Sequence, residues 1–236
     1  MASQNDYHLL ELSIAKQQCD QRRVMPVISP NHRRILDVGC GAGQTLIASD
    51  LAPDVFAVGV DVDQSALSLG KKLSTRVSFV CAKGEALSFP SEHFDLVISR
   101  VALPYMHIPR TLAEILRVLK MGGDLWVALH PLSMLTKDLV EDVKALKLKR
   151  IVYQLYVLSN GLTLHLLNKQ FKFPLTGSRF ESFQTDQGIS RALRSAGFAE
   201  IQISRDNFFV VTAKKTAHKL PLERRGNDGS QRESGY

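Results

Sequence analysis

The sequence predicts an α/β fold, a parallel sheet with helices on both faces, and three observations predict it. Short apolar runs recur along the chain, stretches of helical periodicity separate them, and a glycine-rich turn joins the first run to a helix. Ahead of the sheet, residues 1–30 carry Leu9, Leu10, Leu12, Ile14 and Ala15, which predicts an N-terminal helical segment beside the ligand cleft.

Ile35, Leu36, Asp37 and Val38 form a run too short for a buried helix, so it reads as a strand covered on both faces. Gln44 to Asp50, with Thr45, Leu46, Ile47 and Ala48, opens a helix. Between them, in "ILDVGCGAGQTL", Gly39, Gly41 and Gly43 stand two residues apart. Glycine there permits positive φ and lets a ligand lie against bare N–H groups, while a helix start favours negative charge. The turn is either a ligand cradle or a tight strand–helix connection. The dinucleotide fingerprint G-x-G-x-x-G requires glycine where this chain has Gln44, which argues against NAD and FAD.

Further strands are expected in "VFAVGVD" (55–61), "VSFVCA" (77–82), "FDLVIS" (94–99) and "LWVALH" (125–130). Ala66, Leu67, Leu69 and Leu73 after Asp63, and Leu112, Ile115, Leu116 and Leu119 after Pro109, repeat at helical spacing. "KMGGD" should stop the second of these helices at Gly122 and Gly123. Ligands of such sheets sit at the carboxyl ends of the strands, where the glycine turn, Asp61, Lys83, Arg100 and His130 all fall. Asp61 comes twenty positions after Gly41, and its carboxylate can accept two hydrogen bonds from ribose hydroxyls. Asp63, directly before a helix, is the natural N-cap.

A chain of 236 residues with 44% hydrophobic residues can bury a sizeable core. The start "MASQNDYHLLE" has no basic segment followed by an apolar one, and no apolar run spans a bilayer, so the expected place is the cytoplasm. Cys19, Cys40 and Cys81 suggest neither a disulfide framework nor a metal site, and Cys40 and Cys81 are expected inside. The net charge of +7 is concentrated at "KALKLKR" (144–150) and from Lys214 onward. It fits either an acidic partner or membrane surface, or a solvated helix face with a disordered tail.

"LDVGCGAG", "VGVDVD", "GEALSFPSEHFDLVISR", "LAEILRVLKMGGDLWVALHP" and "ISRALRSAGFAEIQISRDNFFVVTAKK" together resemble the class I S-adenosylmethionine-dependent methyltransferases. The resemblance is strongest to the branch with the ubiquinone and menaquinone C-methyltransferases. It implies a Rossmann-like, seven-stranded, mostly parallel sheet whose last strand runs antiparallel, and S-adenosyl-L-methionine as cofactor. In such a site Gly39, Cys40, Gly41 and Gly43 pass under the methionine part, with Asp37 near its amino group. Asp61 holds the ribose and Val62 packs on adenine. Lys83, Gly84 and Glu85 stand beside the adenine, and Ser99 and Arg100 contact the cofactor after the fourth strand. One departure is Lys83, where the family commonly has an aspartate that accepts from the adenine amino group; lysine only donates. Either Lys83 points to solvent or the loop is used differently, with Glu85 as a substitute acceptor.

Methyl transfer from a sulfonium needs alignment and exclusion of water, and no metal. A general base serves only acceptors that must lose a proton. His130 is the candidate base, against a role bracing the loop before Pro131, and Tyr105 is divided between lining the acceptor pocket and filling core. His107 reads as a solvent-facing linker residue.

The expected organisation is an N-terminal helical segment (1–30), a methyltransferase domain (31–216) and a disordered basic tail (217–236). Residues 132–183, too many for a simple connection, are expected to be an insertion with its own structure after strand 5, and the resemblance implies that it is a helical lid over the acceptor. The resemblance gives that lid an apolar pocket for Leu155, Tyr156, Leu164, Leu167, Phe171 and Phe173. Three functions follow. They are methylation of a small, largely apolar acceptor such as a quinone or phenolic metabolite, RNA methylation, and a non-catalytic cofactor-binding module. The first is favoured, with peripheral membrane contact as a further role for the basic run.

Overall fold

The computed structural model describes residues 4–130, 139–173 and 180–217. One seven-stranded sheet, in the order β3-β2-β1-β4-β5-β7-β6, organises the chain. Its strands are β1 (Arg34–Val38), β2 (Phe56–Asp61), β3 (Val77–Cys81), β4 (Phe94–Arg100), β5 (Leu119–Leu129), β6 (Phe198–Ser204) and β7 (Phe209–Lys215). The helices are α1 (Gln4–Lys16), α2 (Gln44–Ala48), α3 (Gln64–Leu73), α4 (Ile108–Val118), α5 (Leu148–Leu167) and α6 (Asp186–Ala196), and residues 139–144 are also helical.

Alternation along the strands divides the core between the two faces. Leu36, Val38, Val58 and Val97 point to one face, which is covered by Ile108, Leu112 and Ile115 of α4 and Ile189 and Leu193 of α6. Ile35, Ala57, Ile98 and Trp126 point to the other, where Leu46 of α2 and Val24 and Ile28 from the chain before β1 pack. Burial of β1 on both sides accounts for its continuous apolar run.

Three expectations require correction. The sheet is mixed rather than mostly parallel: β3-β2-β1-β4-β5 pair in parallel, but β7 pairs antiparallel with both β5 and β6. The four residues between Ser204 and Phe209 allow only a hairpin, and a parallel return would need a crossover. Second, Gly122 and Gly123 do not stop α4. That helix ends at Val118, the chain enters β5 at once, and the two glycines lie within β5 beside a register shift opposite Phe94 and Leu96. Gly122 takes φ +77°, and a Cβ on Gly123 would stand 2.9 Å from the Lys120 carbonyl oxygen, so the pair permits the bulge. Third, the regular helix at the N-terminus stops at Lys16, well short of residue 30.

The helical lid is not established as such. Within the insertion, α5 packs against α6, and the six residues expected to line one pocket divide. Tyr156 and Phe173 form a small core with Val157, Leu164 joins the main core, and Leu155, Leu167 and Phe171 are exposed. Residues 132–138 and 174–179 of the insertion, and the expected tail from residue 218, lie outside the described residues.

Candidate active site

The turn after β1 has the conformation its glycines predict: Gly39, Gly41 and Gly43 take φ of +78°, +55° and +77°. Gly43 is the left-handed N-cap residue of α2. Gly39 has a second reason to lack a side chain, because a Cβ there would lie 2.1 Å from that of Ala102. The N–H groups of the loop, however, are not bare. Those of Gly39 and Cys40 donate to the Val60 carbonyl (2.7 and 3.0 Å), Gly43 donates to the Cys40 carbonyl (2.9 Å), and Gly41 donates to the Asp61 carboxylate (2.8 Å). An anion would find these four donors spent. What the turn offers is close approach with negative charge beneath it.

That charge is Asp37. Its side chain is buried at the carboxyl half of β1, and neither carboxylate oxygen has a hydrogen-bond partner. Burial raises its pKa to about 7, opposed by the Arg100 guanidinium and reinforced by Asp61. The Thr45 hydroxyl is near enough to favour the charged form without closing a bond of ordinary geometry. A buried, unsatisfied carboxylate costs stability unless a ligand supplies donors, and the amino group of an amino acid supplies three. The donor set therefore fits a cationic ligand at this end of the sheet.

Asp61 ends β2 and joins two loops. One oxygen accepts from Gly41 N–H and the other from Asp63 N–H (2.9 Å), leaving lone pairs on both for further donors. Asp63 caps α3 as expected, its side chain accepting from the N–H groups of Ser65 and Ala66. Val62, 64% exposed between them, is free to pack on a ring.

The remaining expected residues divide. Lys83 is exposed and faces solvent, whereas Gly84 is buried against Met106, Val38 and Thr111. Glu85 accepts from the His107 N–H through one carboxylate oxygen (2.9 Å), which ties it to the turn after β4. The Ser99 hydroxyl donates to the Val38 carbonyl inside the sheet, so it braces β1 from within. The Cys40 side chain points away from the cleft and packs where a Cβ on Gly59 would stand 2.6 Å from its sulfur; burial raises its pKa well above the ordinary thiol value. Cys81, expected inside, is exposed at the end of β3. His107 is no solvent-facing linker, since its ring accepts from Arg110 N–H as the N-cap of α4 and stacks edge-on with Phe180.

Arg100 reaches the cleft but is held there by the N-terminal helix: it donates to Glu11 (3.0 Å) and to the Thr45 hydroxyl (3.1 Å). On the same helix, His8 is buried, its Nδ1 accepts from the Gln44 side-chain amide (2.8 Å), and its ring would meet a Cβ on Gly41 at 3.1 Å. Gln4 bonds Asp63. Thus α1 lies across the glycine loop, and the set His8, Glu11, Gln44 and Thr45 escaped the sequence reading. Val101 escaped it too. This β-branched residue takes φ +62° directly after β4, a strained conformation held by its N–H bond to the Ala128 carbonyl, and it redirects the chain into the 3-10 turn Leu103–Tyr105.

That turn brings the two acceptor-side candidates together. The Tyr105 hydroxyl is 3.2 Å from Nε2 of His130, with the rings edge-to-face at 5.9 Å between centroids. Burial lowers the His130 pKa below its ordinary value, so the ring is neutral at pH 7. The insertion is anchored beside the pair: Ser182 N–H donates to the Pro104 carbonyl and Ile108 N–H to the Gln170 side chain (3.2 and 2.7 Å).

The pKa of Asp37 gives a testable pH dependence. A carboxyl raised from 3.8 to about 7 favours the fold while protonated, so this contribution is present at low pH and lost as pH rises toward 7. Asp37→Asn, neutral throughout, is expected to raise the melting temperature by several degrees at pH 8 and by little at pH 4. An equal effect at both pH values would show that Asp37 is already ionised at no cost.

Residues 35–123 match the family model described as a methyltransferase domain. Over 98 residues the chain is 39% identical to a demethylmenaquinone methyltransferase of Symbiobacterium thermophilum, covering 38% of this chain and 39% of that protein. Over 108 residues it is 35% identical to a phthiotriol/phenolphthiotriol dimycocerosates methyltransferase of Mycobacterium leprae, covering 44% and 40%. The chain thus spans about two fifths of the length of the curated relatives it matches. Among solved structures, a SAM-dependent methyltransferase of Thermotoga maritima superposes with a TM-score of 0.54 at 17% identity, covering 89% of both chains, a likeness of fold.

Proposed function

We propose, from the premise that residues 35–123 form a class I S-adenosylmethionine-dependent methyltransferase domain, that this protein transfers a methyl group to a small, largely apolar acceptor. The observation that carries the reading is the loop of three left-handed glycines with spent N–H groups, set over the unpartnered carboxylate of Asp37 and tied to Asp61. Asp37 would take the cofactor amino group, Asp61 the ribose hydroxyls and Val62 one face of adenine. S-adenosylmethionine, when bound, supplies a methyl group already activated on sulfonium.

On the acceptor side, neutral His130 takes the proton of a phenol or activated carbon, and the Tyr105 hydroxyl orients the ring that receives it. We read residues 132–183 as the lid that excludes water from this pair, which fits the anchoring of Gln170 and Ser182 beside Tyr105. The relatives that act on demethylmenaquinone and phthiotriol lipids support an apolar acceptor.

The test is incubation of the protein with isotopically labelled S-adenosylmethionine and fractionated cell extract, followed by mass spectrometry. The label is expected in an apolar small molecule. Label in RNA alone would establish the wrong acceptor class, and label in no fraction despite tight cofactor binding would leave a binding module without transfer.

A further inference from the structure

The longest helix of the described residues is apolar on both faces: Tyr156, Val157 and Leu164 are buried against the protein, and a second apolar stripe faces outward. On α5, Gln154 and Asn160 face inward, Gln154 to the buried carboxylate of Asp142 and Asn160 to the Glu181 carbonyl. Leu148, Leu155, Leu162 and Leu166 are each more than half exposed, and Val152 nearly so. Their steps of four, three and seven residues place them in one stripe along a helix of 20 residues, about 30 Å long. A helix on a protein surface normally turns a polar face outward. Val140, Val143 and Leu146, all exposed, extend the apolar surface beyond the N-terminal end of α5.

Charge selects the occupant. Between Asp142 and Glu181 the chain has no Asp or Glu, while Lys and Arg recur at both ends of the stripe. Lys147 and Arg150 share Asp142, which leaves exposed Lys144 and Lys149 at one end and exposed Lys169 and Lys172 at the other. A second copy packed against the stripe in either direction would oppose cations with cations. An anionic lipid surface accepts the leucines and neutralises both ends. No described helix is long and apolar enough to cross a membrane, so the contact is with the surface.

We propose that the outer face of α5 is a docking surface for anionic membranes. The inference stands independently of methyl transfer. It is tested by cosedimentation of the full chain with vesicles of phosphatidylglycerol and phosphatidylcholine in equal parts, and with phosphatidylcholine alone. The expected result is salt-sensitive binding to the anionic vesicles only. Leu155→Glu with Leu162→Glu, exposed positions whose exchange should leave the circular dichroism spectrum unchanged, should weaken that binding roughly tenfold or more. Lys149→Glu with Lys169→Glu should weaken it through charge alone. Absence of binding would overturn the proposal, and so would binding unaffected by the leucine changes, which would place the contact elsewhere. A soluble dimer dissociated by the leucine changes would assign the face to a second copy instead.

Discussion

Replacement of His130 by alanine is expected to lower turnover of a proton-losing acceptor by roughly a hundredfold, the scale of general-base catalysis and equivalent to about 2.7 kcal/mol of barrier. The expectation rests on position and protonation. His130 follows β5, its Nε2 lies 3.2 Å from the Tyr105 hydroxyl, and burial lowers its pKa, so the ring is a neutral base at pH 7. Turnover of the native protein should rise with pH through a pKa below 6.5 and then level off, because a lowered histidine pKa places the basic form above it. His130→Ala should abolish that limb with cofactor affinity unchanged, and Tyr105→Phe should lose less and keep the limb. A His130 variant that retains the limb, or that loses thermal stability while its folded fraction turns over normally, would reduce the residue to a brace for the following loop.

The second large effect is expected at Asp61. Its carboxylate already holds the N–H groups of Gly41 and Asp63, so the group that would receive the ribose also fixes the loop over which the methionine part would lie. Asp61→Ala should weaken binding of S-adenosylmethionine roughly tenfold to a hundredfold, since each hydrogen bond to a charged group contributes about 1.5 to 3 kcal/mol. It should also lower the melting temperature. Asp61→Asn, which keeps one acceptor oxygen, should fall between. A lowered melting temperature with unchanged affinity would assign Asp61 to the loop alone.

What the sequence made legible was local chemistry. Asp63 was recognisable as a cap because capping depends on residues two and three positions away, and the glycine turn was recognisable because positive φ is a property of the residue itself. Directions and long-range docking were not legible. The Cys40 backbone belongs to the loop as expected, but only the packing against Gly59 reveals that its side chain leaves the cleft. A helix beside the cleft was expected from the N-terminal segment, but not that its His8 and Glu11 would reach Gln44 and Arg100, 36 and 89 positions away, because periodicity does not encode individual side-chain partners. Gly122 and Gly123 were misread because a glycine pair stops a helix or permits a bulge, and pairing between β4 and β5 decides between the two. For α5, the expected pocket residues did not share a face: Tyr156 and Leu164 turned inward and Leu155 and Leu167 outward, which only packing against the rest of the fold decides.

The central claim is that the glycine turn, Asp37 and Asp61 form a site for S-adenosylmethionine, and isothermal titration calorimetry tests it most directly. S-adenosylmethionine and S-adenosylhomocysteine are expected to bind with micromolar dissociation constants, while NAD gives no heat. Proton release should accompany binding near pH 6, because a bound ammonium favours ionised Asp37, whose pKa in the free protein is about 7. Tight binding of NAD with none of S-adenosylmethionine would contradict the account.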